Sequence, residues 1–286
     1  MKYLNYFIQF ILTILCFILF KILGPSLSSR LSGKIFEKIG PFFRSKKTIH
    51  SNIKRVYPNI EIKEITNIAN LMWNNYGRVF AEFMFMHEFR SGKLSQNIEI
   101  VGQNILENIK SNNKQVIFIS GHFSNFELMA MHLEKSGINL CAIYRPLNNI
   151  FLNIIMENIR IKYICKNQIK KGKSGTRELI NFIKKNYSIA LMIDQRVTEG
   201  IRTDFFGKSA FTTTIPAQIV KKFGYEVVPV HIERFDKIKF NLTINKPIKF
   251  EKNLSIDDIT SKLNKILEDM IIKNPAQWIL THDRWK

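Results

Sequence analysis

A chain of 286 residues, 45% of them hydrophobic, holds enough apolar side chains for one large core and too many for a disordered protein. Its three cysteines, Cys16, Cys141 and Cys165, are too few and too scattered for a disulfide framework or a zinc site, which suits a reducing compartment. The net charge of +20 comes from 31 Lys and 12 Arg against 23 acidic residues. It attracts anionic head groups, phosphorylated molecules and acidic proteins, although the excess of Lys also fits compositional drift, and no recognisable nucleic-acid motif accompanies it.

Tyr3 to Phe20 is a run of 18 uncharged residues between Lys2 and Lys21. As a helix it is roughly 27 Å long, enough to cross or nearly cross a bilayer. A cleaved signal peptide would have a shorter apolar region, about 7–15 residues, and a small-residue cleavage site that "KILGPSLSSR" does not resemble. Asn5, Gln9 and Thr13 recur every fourth position, which leaves open a helix lying in the interface. Residues 1–24 are therefore expected to be a membrane-anchor helix and 25–286 one α/β domain. The basic residues that follow the anchor place that domain on the cytoplasmic side by the positive-inside rule.

Residues 25–58 are basic, punctuated by Gly and Pro, and read as short helices on the membrane. Residues 61–89 read as a long helix whose aromatic stripe, Trp73, Tyr76, Phe80, Phe83, Phe85 and Phe89, is expected in the core. From residue 115 the apolar runs "QVIFIS", "LCAIYR", "SIALMID" and "YEVVPVHI" alternate with helical stretches near 126–136, 148–162, 175–186 and 214–223. That alternation predicts a mixed, partly parallel sheet flanked by helices. "IKFNLTINKPIKF" reads as a late hairpin or edge strand and residues 255–274 as a closing amphipathic helix. In such a sheet, ligand sites gather at the carboxyl ends of strands, where His122, Arg145 and Asp194 fall.

Of the six histidines, His122 alone sits at a strand end behind a glycine with an acid nearby, in "FISGHFSNFE". Glu127 has two readings. With Ser124 it forms the S-x-x-E spacing of a capping box; with His122 it supplies a carboxylate to orient a general base. His132 and His231 lack metal-ligand spacing, and neither a metal nor a cofactor is expected. "KKGKSGT" fails as a phosphate loop because Asn167 stands where its first glycine would be. No G-x-S-x-G elbow supplies a nucleophile, so a histidine here would act on a hydroxyl that the substrate brings.

"GHFSNFE" fits the H-x-x-x-x-[DE] pattern, and with "IYRPLNN", Arg160 in "ENIRIK", "LMIDQ", "TDFFGKSAFTTTIPAQIVKKFG", "VVPVHIERF" and "PAQWILTHDRWK" the chain resembles the late (secondary) acyltransferases of lipid A biosynthesis, across nearly its whole length. The resemblance implies transfer of a lauroyl- or myristoyl-type chain from an acyl carrier protein thioester to a phosphorylated glycolipid, a lipid A precursor, at the inner membrane. It implies His122 as base, Glu127 as its orienting acid and Arg160 as stabiliser of developing charge. Arg145, Asp194, Gly207, Thr212 and Thr213 are added as substrate-binding candidates, the last three as a helix cap or a phosphate cradle. Arg196, after "DQ", has no assigned part. The alternatives are an acyltransferase acting on a lysophospholipid or a mannosylated phosphoinositide, and a non-catalytic binder of membrane surfaces or nucleic acid.

Overall fold

The computed structural model describes residues 1–286, the side chain of Lys173 apart. The uncharged amino-terminal run forms helix α1 (Lys2–Leu23), which stops at Gly24, where φ is 75°. Among the described residues it is the one helix long and apolar enough to cross a membrane. Most of its large side chains are exposed, Leu4, Phe7, Ile11, Leu15 and Ile18 among them. A single stripe, at Tyr6, Phe10, Thr13, Ile14, Phe17 and Phe20, turns toward the body of the protein. Thr13 lies on that stripe and Gln9 beside it, accepting a hydrogen bond from Asn149 Nδ2 at 3.2 Å. Two of the three regularly spaced polar residues thus serve packing.

Helices α2 (Pro25–Ile39), α3 (Lys46–Val56) and α4 (Ile62–Glu82) follow, then a 3-10 turn at Phe83–Phe85 and the short α5 (Met86–Ser91). The long helix expected over 61–89 is therefore broken at Phe83. Small residues let α2 and α4 approach closely: Ser32 Oγ donates to the carbonyl of Gly77 at 2.6 Å, and a Cβ on Gly77 would sit 2.4 Å from the carbonyl oxygen of Ser32. Trp73, Phe83, Phe85 and Phe89 are buried as expected. Phe80 instead receives α1, its ring 5.3 Å from Phe17 and 6.0 Å from Phe20. Glu82, fully buried, accepts from Ser29 Oγ, Asn125 Nδ2 and the Arg234 guanidinium, tying α2, α4 and two segments of the sheet domain together.

The sheet domain runs β1 (Ile98–Val101), α6 (Gln103–Ser111), β2 (Val116–Ser120), α7 (Glu127–Lys135), β3 (Leu140–Tyr144), α8 (Ile150–Ile159), β4 (Asn167–Lys170), α9 (Lys173–Lys184), β5 (Ser188–Met192), β6 (Ile201–Phe205), β7 (Lys208–Thr212), α10 (Ile215–Phe223), β8 (Glu226–Asp236), β9 (Lys239–Ile244) and α11 (Ile256–Lys273). Seven strands form one mixed sheet in the order β1-β9-β8-β2-β5-β3-β4, all neighbours parallel except β8 and β9. Residues of β2 are buried throughout, as a strand covered on both faces must be. The late hairpin forms as expected, but β9 is no edge strand, because β1 pairs with it in parallel. A separate antiparallel hairpin joins β6 and β7.

Candidate active site

Strand β2 ends at Ser120, and the chain turns through His122 and Ser124 before α7 begins at Glu127. In the sheet β2 lies beside β5, with Ser120 opposite Met192. Two residues further along each chain are His122 and Asp194, so the register itself brings imidazole and carboxylate together. His122 Nδ1 lies 2.7 Å from Asp194 Oδ1, and the His122 backbone N–H donates to Asp194 Oδ2 at 3.0 Å. Trp278 Nε1 donates to the same oxygen at 2.9 Å. Asp194 is 3% exposed. Burial alone would raise its pKa, but the His122 charge and the hydrogen bonds from His122 and Trp278 outweigh that and hold it down at about 2.

With Nδ1 bound to a carboxylate, the ring carries its proton there and presents Nε2 as an acceptor. Gln195 Nε2 stands 3.5 Å from His122 Nε2, and Phe126 packs edge-on at 4.7 Å between ring centres. The carboxy-terminal segment supports this turn from behind: Ser124 N–H donates to the carbonyl of Gln277 at 2.7 Å, and Phe123 pairs with Trp278. His132 and His231 differ in kind. Burial pulls both down to about 4, so they are neutral packing residues near neutral pH.

Both readings of Glu127 need correction. α7 has no side-chain cap; Ser124 adopts φ 44° and its buried Oγ has no partner, so the S-x-x-E spacing forms no capping box. Among the described residues Glu127 makes no hydrogen bond to His122 either, whose Nδ1 is occupied by Asp194. Glu127 Oε1 instead accepts from Arg160 Nε at 3.0 Å and Arg160 Nη2 at 2.5 Å. Arg160 opens a π-helical turn, Arg160–Ile164, that extends α8, a wider coil often found at functional sites. Burial disfavours its charge, but the Glu127 carboxylate more than compensates and raises its pKa. The guanidinium lies over the Tyr144 ring at 5.5 Å, and Tyr144 in turn donates to Glu157 at 2.5 Å.

The remaining candidates are spread more widely. Arg145 is exposed just beyond β3. Phe206 and Gly207, at φ 55° and 70°, make the two-residue turn between β6 and β7, which explains the glycine as a hairpin residue. Thr212 is buried, with Oγ1 bonded to Asn264 and Arg284, while Thr213 Oγ1 accepts from the Ile215 N–H at 3.4 Å at the start of α10. The N-cap of α10 is Thr214, whose side chain makes no capping hydrogen bond, so Thr213 makes a local turn contact one residue before the cap. A cavity of about 590 Å³ bounded by Val56, Tyr57, Ile68 and Pro275 holds none of these residues. Trp278, Gln195 and the Glu127–Arg160 pairing were missed from sequence. The aspartate at the carboxyl end of the strand beside β2 was the available signal for the His122 partner.

A histidine fixed by a buried aspartate at the carboxyl edge of an α/β sheet, with a glutamate at the start of α7 paired to an arginine at the end of α8, is an arrangement able to activate a hydroxyl. The family comparison is in keeping: the model for bacterial lipid A biosynthesis acyltransferases matches residues 1–286, and the chain belongs to that family and is an acyltransferase. It is 22% identical over 264 residues to a lipid A biosynthesis acyltransferase 2 of Shigella flexneri, covering 89% of this chain and 82% of that one. Against a lipid A biosynthesis myristoyltransferase of Escherichia coli it is 22% identical, with 87% and 77% covered; against a palmitoleoyltransferase of the same organism it is 20% identical, with 86% and 80% covered.

Proposed function

We propose that this protein transfers a fatty acyl chain from an acyl carrier protein thioester to a hydroxyl of a phosphorylated lipid A precursor, at the cytoplasmic face of the inner membrane. The observation that carries the chemistry is the His122–Asp194 pair, which leaves Nε2 facing only the long 3.5 Å contact from Gln195. His122 Nε2 takes the proton of the acceptor hydroxyl as its oxygen attacks the thioester carbonyl. Asp194 holds the reactive tautomer and balances the imidazolium, the part assigned to an acid in a Ser-His-Asp triad. The C–O bond forms, the tetrahedral oxyanion collapses with cleavage of the C–S bond, and the imidazolium returns its proton to the departing thiolate.

Arg160 stabilises the oxyanion, and Glu127 acts through Arg160 by fixing the fork of its guanidinium. The membrane supplies the acceptor, and the net charge of +20 favours both a phosphorylated lipid and an acidic carrier. Residues 1–24 serve as the anchor and 25–286 as the catalytic body. The test is acyl transfer by purified full-length protein from an acyl carrier thioester to a phosphorylated lipid A precursor, read by mass spectrometry. A product of higher mass by one acyl chain is expected from wild type and not from His122→Ala. Product on a lysophospholipid alone would overturn the acceptor assignment.

A further inference from the structure

Arg196 follows Asp194 and Gln195 at the end of β5 and has no part in the chemistry above. Its guanidinium lies 5.6 Å from the ring centre of Phe211. Arg202, the strand partner of Phe211 in the β6–β7 hairpin, places its own guanidinium 4.2 Å from the same ring. Arg284 reaches Phe211 from the carboxy-terminal segment, donating through Nη1 to its carbonyl and through Nη2 to Thr212 Oγ1 at 2.7 Å. Three guanidiniums converge on one residue, and they grade from buried Arg284 through half-buried Arg196 to exposed Arg202.

No carboxylate among the described residues forms an ion pair within this cluster, although buried Asp194 lies near enough to Arg284 to favour its charge. Among the described residues the arginines that pair with carboxylates are Arg55, Arg90, Arg160 and Arg234, and none of the three is among them. Arg196 Nε and Arg284 Nε are both buried without a hydrogen-bond partner. Contact with an aromatic face stabilises a guanidinium only by about 0.5–2 kcal/mol and leaves its charge in place. Arg196 and Arg202 thus flank one ring with no carboxylate paired to either, and a bound anion would supply the missing partner. The chain also runs from Thr212 straight into the amino end of the nine-residue α10, whose dipole adds to the positive field.

The geometry points to a phosphate-binding site formed by Arg196 and Arg202 beside Phe211, with buried Arg284 supporting Phe211 from behind, which takes a phosphate of one of the two reactants. Planar guanidinium forks match phosphate oxygens in pairs. Gln195, adjacent to Arg196 in the chain, stands 3.5 Å from His122 Nε2, and Arg284 feels the charge of Asp194, so the cluster borders the edge of the sheet where His122 sits. The inference rests on the reaction proposed above. Two sources share the chemistry: the phosphorylated sugar of the acceptor, and the phosphodiester of the pantetheine arm that carries the donor acyl chain.

The test uses full-length protein in detergent, as wild type, as the double variant Arg196→Gln/Arg202→Gln, and as Arg196→Lys/Arg202→Lys. Arg284 is left alone because its burial makes it structural. Inorganic pyrophosphate is the first probe, read as the rise in the midpoint of thermal unfolding. A rise in wild type and the lysine variant, absent from the glutamine variant, is expected. An equal rise in all three, or none in wild type, would overturn the site whatever the reaction.

Steady-state kinetics then separate the sources. The glutamine variant is expected to raise the KM of one reactant by at least about tenfold, with a smaller effect on kcat. A shift confined to the glycolipid assigns the acceptor phosphate, a shift confined to the carrier thioester assigns the pantetheine phosphodiester, and no shift in either overturns the proposal. If wild type transfers nothing to this glycolipid yet pyrophosphate still distinguishes the variants, the proposed reaction falls and the phosphate site stands.

Discussion

His122 and Asp194, 72 residues apart in the chain, are joined twice, through the ring Nδ1 at 2.7 Å and through the His122 backbone N–H at 3.0 Å. The double attachment fixes the position of the loop as well as the angle of the ring. Asp194→Asn keeps the shape of the side chain but removes its charge and offers the ring a donor where it needs an acceptor. The expected outcome is a loss in kcat of order 10³–10⁴-fold with little change in KM, since a wrong tautomer costs about that much in comparable triads. Retention of more than a tenth of wild-type turnover would remove Asp194 from the mechanism.

Glu127 and Arg160 should behave as one unit. Glu127→Gln and Arg160→Ala are each expected to lower turnover by about 10²–10³-fold, the cost of losing one oxyanion donor. Because each acts through the other, the double variant should be little worse than Arg160→Ala alone. Additive losses in that cycle would mean that Glu127 has a task of its own.

Acid should expose Asp194. Its pKa is depressed to about 2 from an ordinary 3.8, so the ionised carboxylate stabilises the folded protein at neutral pH. That stability is present above about pH 4 and is lost as pH falls toward 2; at about 1.4 kcal/mol per unit it is on the order of 2–3 kcal/mol. Denaturant unfolding across this range should show a steeper decline for wild type than for Asp194→Asn.

Glu82 and Arg234 form a buried ion pair that removal of one partner would leave uncompensated. Glu82→Ala is expected to cost about 3–5 kcal/mol in denaturant unfolding. It should also loosen the His122 loop, because Asn125 Nδ2 loses its acceptor at 3.0 Å. A variant of unchanged stability would show that the network is not what holds α2 and α4 to the sheet.

Elements with strong apolar runs were legible from sequence: β2, β3, β5 and β8 lie where those runs do, and α7, α9 and α10 lie within a few residues of their expected bounds. Strands β1 and β4 were not, because Ile98–Val101 and Asn167–Lys170 are four-residue segments with polar residues interspersed. The β6–β7 hairpin was hidden by its turn, where Phe206 takes a positive φ usually reserved for glycine or asparagine. At the site, His122 was legible from its local setting. Its partner was not, because the spacing to Glu127 describes helix geometry, while the pairing with Asp194 depends on which strands are neighbours in the sheet.

Helix α1 does not dangle from the domain. Asn149 Nδ2 donates to the Tyr6 carbonyl at 2.9 Å, and the Phe7 and Phe10 rings lie 5.8 and 5.9 Å from Phe151, at the head of the same α8 that ends at Arg160. The apolar helix therefore works as a keel, rigid with the hull above it, instead of a rope. With α1 as the anchor proposed above, the depth of Arg160 and the tilt of the sheet edge would follow those of α1, with no tether length to average over. The reacting hydroxyl must then come to one fixed height above the bilayer midplane. On that proposal lipids carrying it would be found by lateral diffusion in two dimensions, and a bilayer a few ångströms thicker or thinner would move the whole machine relative to its substrate.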